Sequence, residues 1–135
     1  MRKLIVLVAL AATAACTSDL PSEPLVGSLE GTYSLSTMNG SPLPFTIVSH
    51  DTTFNIDTDV ITLTAAGGWS ETVSYRQTAG TNTTTNENFA LDGTWGRNGN
   101  SLNFQITGGG TIYLGTATDS SLNLTDGGFN YVFLR

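Results

Sequence analysis

His50 is the only histidine of the 135 residues and Cys16 the only cysteine, so chemistry that needs an imidazole or a thiol has one place to find it. A Ser-His-Asp triad would have to be built around His50, yet no G-x-S-x-G elbow supplies the nucleophile. Zinc ligand spacing is absent. The plain reading of His50 is a strand-end histidine beside a polar loop. Asp51, Asn55, Asp57 and Asp59 place four oxygen ligands within nine residues, the composition of a hard-cation site. A calcium loop of the EF-hand type also needs a sharp-turn glycine and a closing bidentate glutamate, and neither is present, which leaves a solvated acidic loop as the simpler reading. No two carboxylates stand in a context that marks the acid and base of glycoside hydrolysis. The residues therefore point to no catalysis, and no metal or cofactor is expected.

The aromatic side chains carry more. If odd-numbered residues face inward, Tyr33, Leu35, Trp69, Val73, Tyr75, Phe89, Leu91, Trp95, Phe129, Tyr131 and Phe133 share an interior. In other strands the even-numbered Leu102, Phe104, Ile106, Ile112, Leu114, Leu122 and Leu124 join them. Trp69, Tyr75 and Trp95 are the candidate contacts to a small apolar ligand, because each offers an apolar body and one polar handle.

Only an extended chain places those residues on one face. From Leu29 onward apolar residues alternate with Thr, Ser or Asn, the period-two pattern of strands, and Gly, Asn or Asp clusters break the runs. The predicted strands are 31–38, 45–50, 60–64, 69–78, 88–95, 102–106, 111–116, 121–124 and 129–134. Asn98-Gly99 is a favoured type I′ hairpin signal, and the Gly pairs at 67–68, 108–110 and 127–128 act similarly. Short turns force antiparallel neighbours. Two segments, 51–59 and the Thr/Asn-rich 79–87, read as longer loops, the second one mobile. The expected fold is all-β, a single antiparallel meander closing into an eight- to nine-stranded barrel, with a two-sheet β-sandwich as the alternative. Leu29-Glu30-Gly31-Thr32-Tyr33 and Leu91-Asp92-Gly93-Thr94-Trp95 echo each other. The simpler account is two strands that each carry a corner glycine before an inward aromatic.

Composition agrees with one such domain. Only 12% of residues are charged and 39% are hydrophobic, with fifteen glycines, which disfavours helices. The formal net charge of −6 and the scattered basic residues argue against nucleic acid, whose phosphates need clustered Lys and Arg.

The N-terminus is an address. Arg2 and Lys3 precede a short apolar stretch and then small residues, the anatomy of an export signal over 1–15. That stretch is well below the roughly 20 apolar residues of a membrane span. Its removal leaves three basic against eleven acidic residues, a net charge of −8. Thr13-Ala14-Ala15-Cys16 resembles the lipobox of bacterial lipoproteins, with Thr13 where Leu is usual. The resemblance implies acyl chains such as palmitate on Cys16, each buried methylene adding about 0.8 kcal/mol of membrane affinity. Thr17, rather than Asp, after the Cys implies sorting to the outer membrane. The alternative is an ordinary signal peptide cut after Ala14. Residues 16–28 read as a Ser/Pro-containing tether of at most roughly 40 Å, and 29–135 as the barrel domain.

Gly31-Thr32-Tyr33-Ser34-Leu35, Asn39-Gly40-Ser41-Pro42-Leu43-Pro44, Gly93-Thr94-Trp95 and Phe129-Asn130-Tyr131-Val132-Phe133 resemble the lipocalin-like domains of small bacterial lipoproteins. Lipocalins open with G-x-W, and Tyr33 stands where that Trp would be. The resemblance implies binding of a small apolar molecule in the barrel mouth, without catalytic residues. In lipocalins a last-strand arginine packs over the first-strand aromatic, which implies that Arg135 lies over Tyr33; the alternative is a frayed terminus with Arg135 in solvent. Two functions follow. One is a tethered binding module in the cell envelope. The other is a structural or protein-interaction envelope module with a solid core, such as an inhibitor-type partner of a basic protein. An apolar cavity of about 300 Å³ or more would favour the first.

Overall fold

The computed structural model describes residues 27–80 and 83–135. The signal segment, Cys16 and the tether as far as residue 26 lie outside the described residues. Ten strands follow one another: β1 (Gly31–Met38), β2 (Ser41–Pro42), β3 (Phe45–Ser49), β4 (Thr52–Leu63), β5 (Gly68–Ala79), β6 (Thr83–Asn98), β7 (Ser101–Ile106), β8 (Thr111–Ala117), β9 (Ser121–Asp126) and β10 (Phe129–Leu134).

From β4 to β10 each strand pairs antiparallel with the next, as short turns dictate. β1 closes the sheet: Ser34–Met38 pairs with β10 on one side, and Gly31–Ser34 pairs with Val60–Leu63 of β4 on the other. The molecule is thus an eight-stranded antiparallel barrel of the lipocalin-like kind, with β2 and β3 as extra strands, and not a sandwich.

The seam between β1 and β4 holds only at one end. Further along, Thr37 and Met38 of β1 pair with β2, while Thr52–Ile56 of β4 pair with β3. The wall parts there. β4 and β5 run 12 residues each and β6 runs 16. Only Gly93–Asn98 of β6 pair with β7, so the upper β6 belongs with β3, β4 and β5 to a sheet that stands above the barrel rim.

Both predicted loops are therefore strands. Segment 51–59 is the start of β4, and 79–87 is the end of β5, a turn at Gly80 and the start of β6. A β-bulge between Ile56 and Thr58 reverses the inward parity from Ile56 to Asp59, Ile61 and Leu63, which hides the alternation. In β6 the described residues from Thr84 to Ala90 are exposed. Threonine favours extended chain, but a strand wet on both faces shows no apolar period. β4 and β6 are accordingly longer than the predicted runs 60–64 and 88–95.

Buried side chains fill the sealed end. Leu29, Tyr33, Ile61, Leu63, Trp69, Leu102, Phe104, Leu122 and Phe133 are among them, and the Trp69 ring meets the Phe104 edge with centroids 5.5 Å apart. Leu114, expected inside, is 57% exposed. The β7–β8 register slips between Phe104 and Gln105, leaving Ile112 without a direct partner, so parity passes from Ile112 to Tyr113 and Leu114 turns outward.

Candidate functional site

The other end is not filled. A cavity of about 360 Å³ lies beneath the upper sheet, walled by apolar side chains including Met38, Ile47, Ile56, Val73, Leu91 and Ile112. Two acids sit in this wall, Asp59 and Glu71, 4% and 2% exposed. Their place follows from register. The bulge in β4 turns Asp59 inward opposite Val73, and Glu71 faces Ile61 on β5, so the carboxyls are diagonal neighbours on the inner face. Tyr113 of β8 donates from its hydroxyl to Glu71 Oε1 at 2.8 Å. Among the described residues no donor from outside the pair reaches Asp59 Oδ1 or Glu71 Oε2.

The electrostatics of the pair are unusual. Burial pushes the Asp59 carboxyl up to about 9, and the Glu71 charge and hydrogen bond push the same way. Glu71 is also raised by burial, but hydrogen bonds from Tyr113 and Asp59 act against the rise. Two adjacent carboxyls in a dry site do not both ionise, so around neutral pH the pair holds a proton, with Asp59 the member pushed up to about 9. The Tyr113 phenol is raised far above its ordinary range by burial and by Glu71, and Tyr131 is raised to about 12, chiefly by burial. Two acceptors without donors inside an apolar wall are costly, and such groups are a mark of function.

A second hollow of about 230 Å³ adjoins the first beneath the upper sheet, lined by Ile47, Phe54, Ile56, Val73, Tyr75 and Phe89. Tyr75 reaches it, with its ring 6.1 Å from that of Phe54. The two tryptophans do not. Trp69 is buried in the packed end, where Nε1 donates to the Gln105 carbonyl at 3.1 Å. Trp95 is half-buried beside the β4–β5 turn, with Nε1 donating to the Thr64 carbonyl at 3.3 Å. Their inward parity says nothing of height along the barrel axis, which strand pairing fixes.

Arg135 lies over Tyr33, with the guanidinium carbon 5.2 Å from the ring centroid. It donates to the Ser28 carbonyl at 3.3 Å, and the Tyr33 hydroxyl donates to the Leu29 carbonyl at 3.0 Å. This plug belongs to the sealed end, away from the cavity. Cys16 is outside the described residues. His50 occupies the β3–β4 turn at φ 53 with its side chain exposed. The acidic segment does not converge on a cation: Asp57 forms a two-pronged bond with Arg76 (2.7 and 2.8 Å), Asn55 accepts from Thr46, and Asp59 is inside. Among the described residues no group of three or more His, Cys, Asp or Glu is placed to hold a metal ion.

The carboxyl pair escaped the sequence reading, although one sign of it was there. Glu71 shares the odd register of Trp69, Val73 and Tyr75, an acid at an apolar position, which is an error in a plain core unless it serves a function. Comparison with protein-family models, with curated proteins and with solved structures found no match.

Proposed function

We propose that this chain is an exported lipoprotein, anchored through acylated Cys16 at the outer membrane of a bacterial envelope, whose lipocalin-like barrel holds a small apolar ligand in its mouth without catalysis. The observation that carries this reading is the apolar cavity of about 360 Å³ above a packed floor, within the size range of small-molecule sites, about 300 to 1,000 Å³. A solid-core envelope module has less support, because side chains fill only the sealed end. The chain enters at that end: the Gly27 amide donates to Asp119 Oδ1 at 2.8 Å and Leu29 is 2% exposed. A membrane anchor before residue 27 would therefore hold the barrel by its closed end and leave the mouth clear.

Native mass spectrometry of full-length protein purified from its own host tests the binding. A co-purifying small molecule is expected, and Val73→Trp, which places an indole in the cavity, should be isolated without it. Wild type without any such molecule, and with no affinity for added apolar compounds, would overturn the reading. Intact mass tests the anchor. Wild type should carry acyl chains and stay with membranes, while Cys16→Ala should leave them; soluble protein in both cases, cut after Ala14, would remove the lipoprotein assignment.

A further inference from the structure

We propose that the cavity takes an amphiphilic amine, a protonated primary or secondary ammonium group on an apolar body, with Asp59 and Glu71 as its receptor. The inference rests on the ligand-binding reading above and gives that ligand a chemical class. Asp59 Oδ1 and Glu71 Oε2 belong to buried side chains, each more than nine-tenths covered, of two residues that line the cavity, and among the described residues no donor from outside the pair reaches either. The Tyr113 hydroxyl is already committed to Glu71 Oε1. Whatever fills the cavity must bring donors of its own, because an unmet buried acceptor bears its full desolvation cost.

Charge narrows the choice. Among the described residues the other titratable groups around the cavity are Asp126 from β9, Tyr113 from β8 and Tyr131 from β10, and no Lys, Arg or His lines it. A carboxylate ligand would meet only acids and phenols. An ammonium group offers two or three N–H donors to the pair's two unpartnered oxygens, and a cation beside carboxyls favours their ionised form. The rest of the wall is apolar and asks for a hydrocarbon body. The adjoining hollow shares Ile47, Ile56, Val73 and Phe89 with the cavity, so an apolar tail continues from the carboxyl pair up beneath the β3–β6 sheet. The chain's net charge of −6 favours the approach of a cation.

Calorimetric titration of the full-length chain with octylamine, octan-1-ol and octanoate reads the headgroup at constant tail length. Octylamine should bind at least tenfold more tightly than octanol, and octanoate not detectably. In the Asp59→Asn/Glu71→Gln double variant the amine-to-alcohol ratio should fall to near one. Glu71→Gln alone, which removes one of the two carboxyls, should lower the ratio in the same direction, so the result does not depend on the double variant folding. Octanol binding as tightly as octylamine to wild type, or an amine preference that persists in these variants, overturns the amine inference and leaves the apolar-ligand reading standing. No binding by any of the three overturns both.

Discussion

Asp59 carries a proton in the folded chain that the unfolded chain releases, and the sign of its effect on stability follows from that. Between the unfolded value of 3.8 and the folded value of about 9, the native state binds more protons, so stability falls as pH rises. The slope from one such group is at most about 1.4 kcal/mol per pH unit. Thermal melts should show a midpoint that declines from mildly acidic to mildly alkaline pH. Asp59→Asn should flatten that decline and melt higher at alkaline pH, because the amide has no charge to bury; an unchanged slope would mean that the carboxyl pair does not hold the proton. The Arg135–Tyr33 contact has the opposite character, since it joins a permanent cation to a ring face. A double-mutant cycle of Tyr33→Leu and Arg135→Gln should give a coupling of about 0.5 to 2 kcal/mol. Each single change should cost more than the coupling, as each also removes a hydrogen bond to the Ser28–Leu29 backbone. The two cases differ in legibility for one reason. Arg135 over Tyr33 is what the resemblance to lipocalins implies for the last and first strands, while Asp59 and Glu71 become partners only through the bulge that precedes Asp59.

Parity is the whole of what alternation can tell about a strand, and the elements of this barrel separate where parity survives from where it breaks. β1, β7, β9 and β10 have the same bounds as their predicted runs, within two residues; β7 and β9 alternate apolar and polar throughout, and the shift in β1 comes only near its end, between Leu35 and Thr37. β4 contains a bulge and β6 begins in solvent on both faces, so both run longer than the expected 60–64 and 88–95, while the slip in β8 keeps the expected extent and turns Leu114 outward. The echoed Leu-acid-Gly-Thr-aromatic segments mark two close approaches. At Gly31, with φ of 139°, an added Cβ would meet the Arg135 guanidinium at 2.8 Å. At Gly93 it would run into the Gln105 carbonyl, the same oxygen that accepts from Trp69 Nε1. Gly93 is also where β6 gains β7 as a second neighbour. The backbone cannot move aside there without breaking a ladder. Gly93→Ala should therefore destabilise by more than about 3 kcal/mol, the range of severe core disruption, while Gly80→Ala in the exposed β5–β6 turn, where an added Cβ meets nothing, should show only the modest cost of its positive φ. Chemical denaturation of both variants checks the contrast; equal losses would mean that the close approach at Gly93 relaxes freely.

The barrel as a whole is closed by β1 through two pairings that are not local, and the two ends of the described barrel segment lie beside the β1–β10 one. β1 is bonded to the last strand along one edge and to β4 along the other, so closure must wait for the C-terminus. The ends already meet: the Arg135 amide donates to the Ser120 carbonyl and its guanidinium to that of Ser28. A circular permutant that joins Arg135 to Gly27 through a short linker, opened between Gly127 and Gly128, would make β10 the first strand and turn the β10–β1 pair into a neighbouring one. Those glycines form the two-residue β9–β10 turn at φ of 55° and 86°, with open space around both. β10 would still be tied at the rim, where the Asn39 amide donates to the Asn130 carbonyl and the Asn130 amide to Asn39 Oδ1. The long closure passes to the β9–β10 pair, and since closure entropy grows only with the logarithm of loop length, the total changes little. The permutant should melt cooperatively within a few degrees of the parent and keep the near-ultraviolet signal of packed aromatics. It should also bind the same ligand, because the new ends stand on the rim and the cavity walls come from strands left whole. A permutant that folds without binding would show that the β9–β10 turn, next to Asp126, is part of the mouth; one that loses its aromatic signal would show that the barrel depends on its chain order and not only on its pairings.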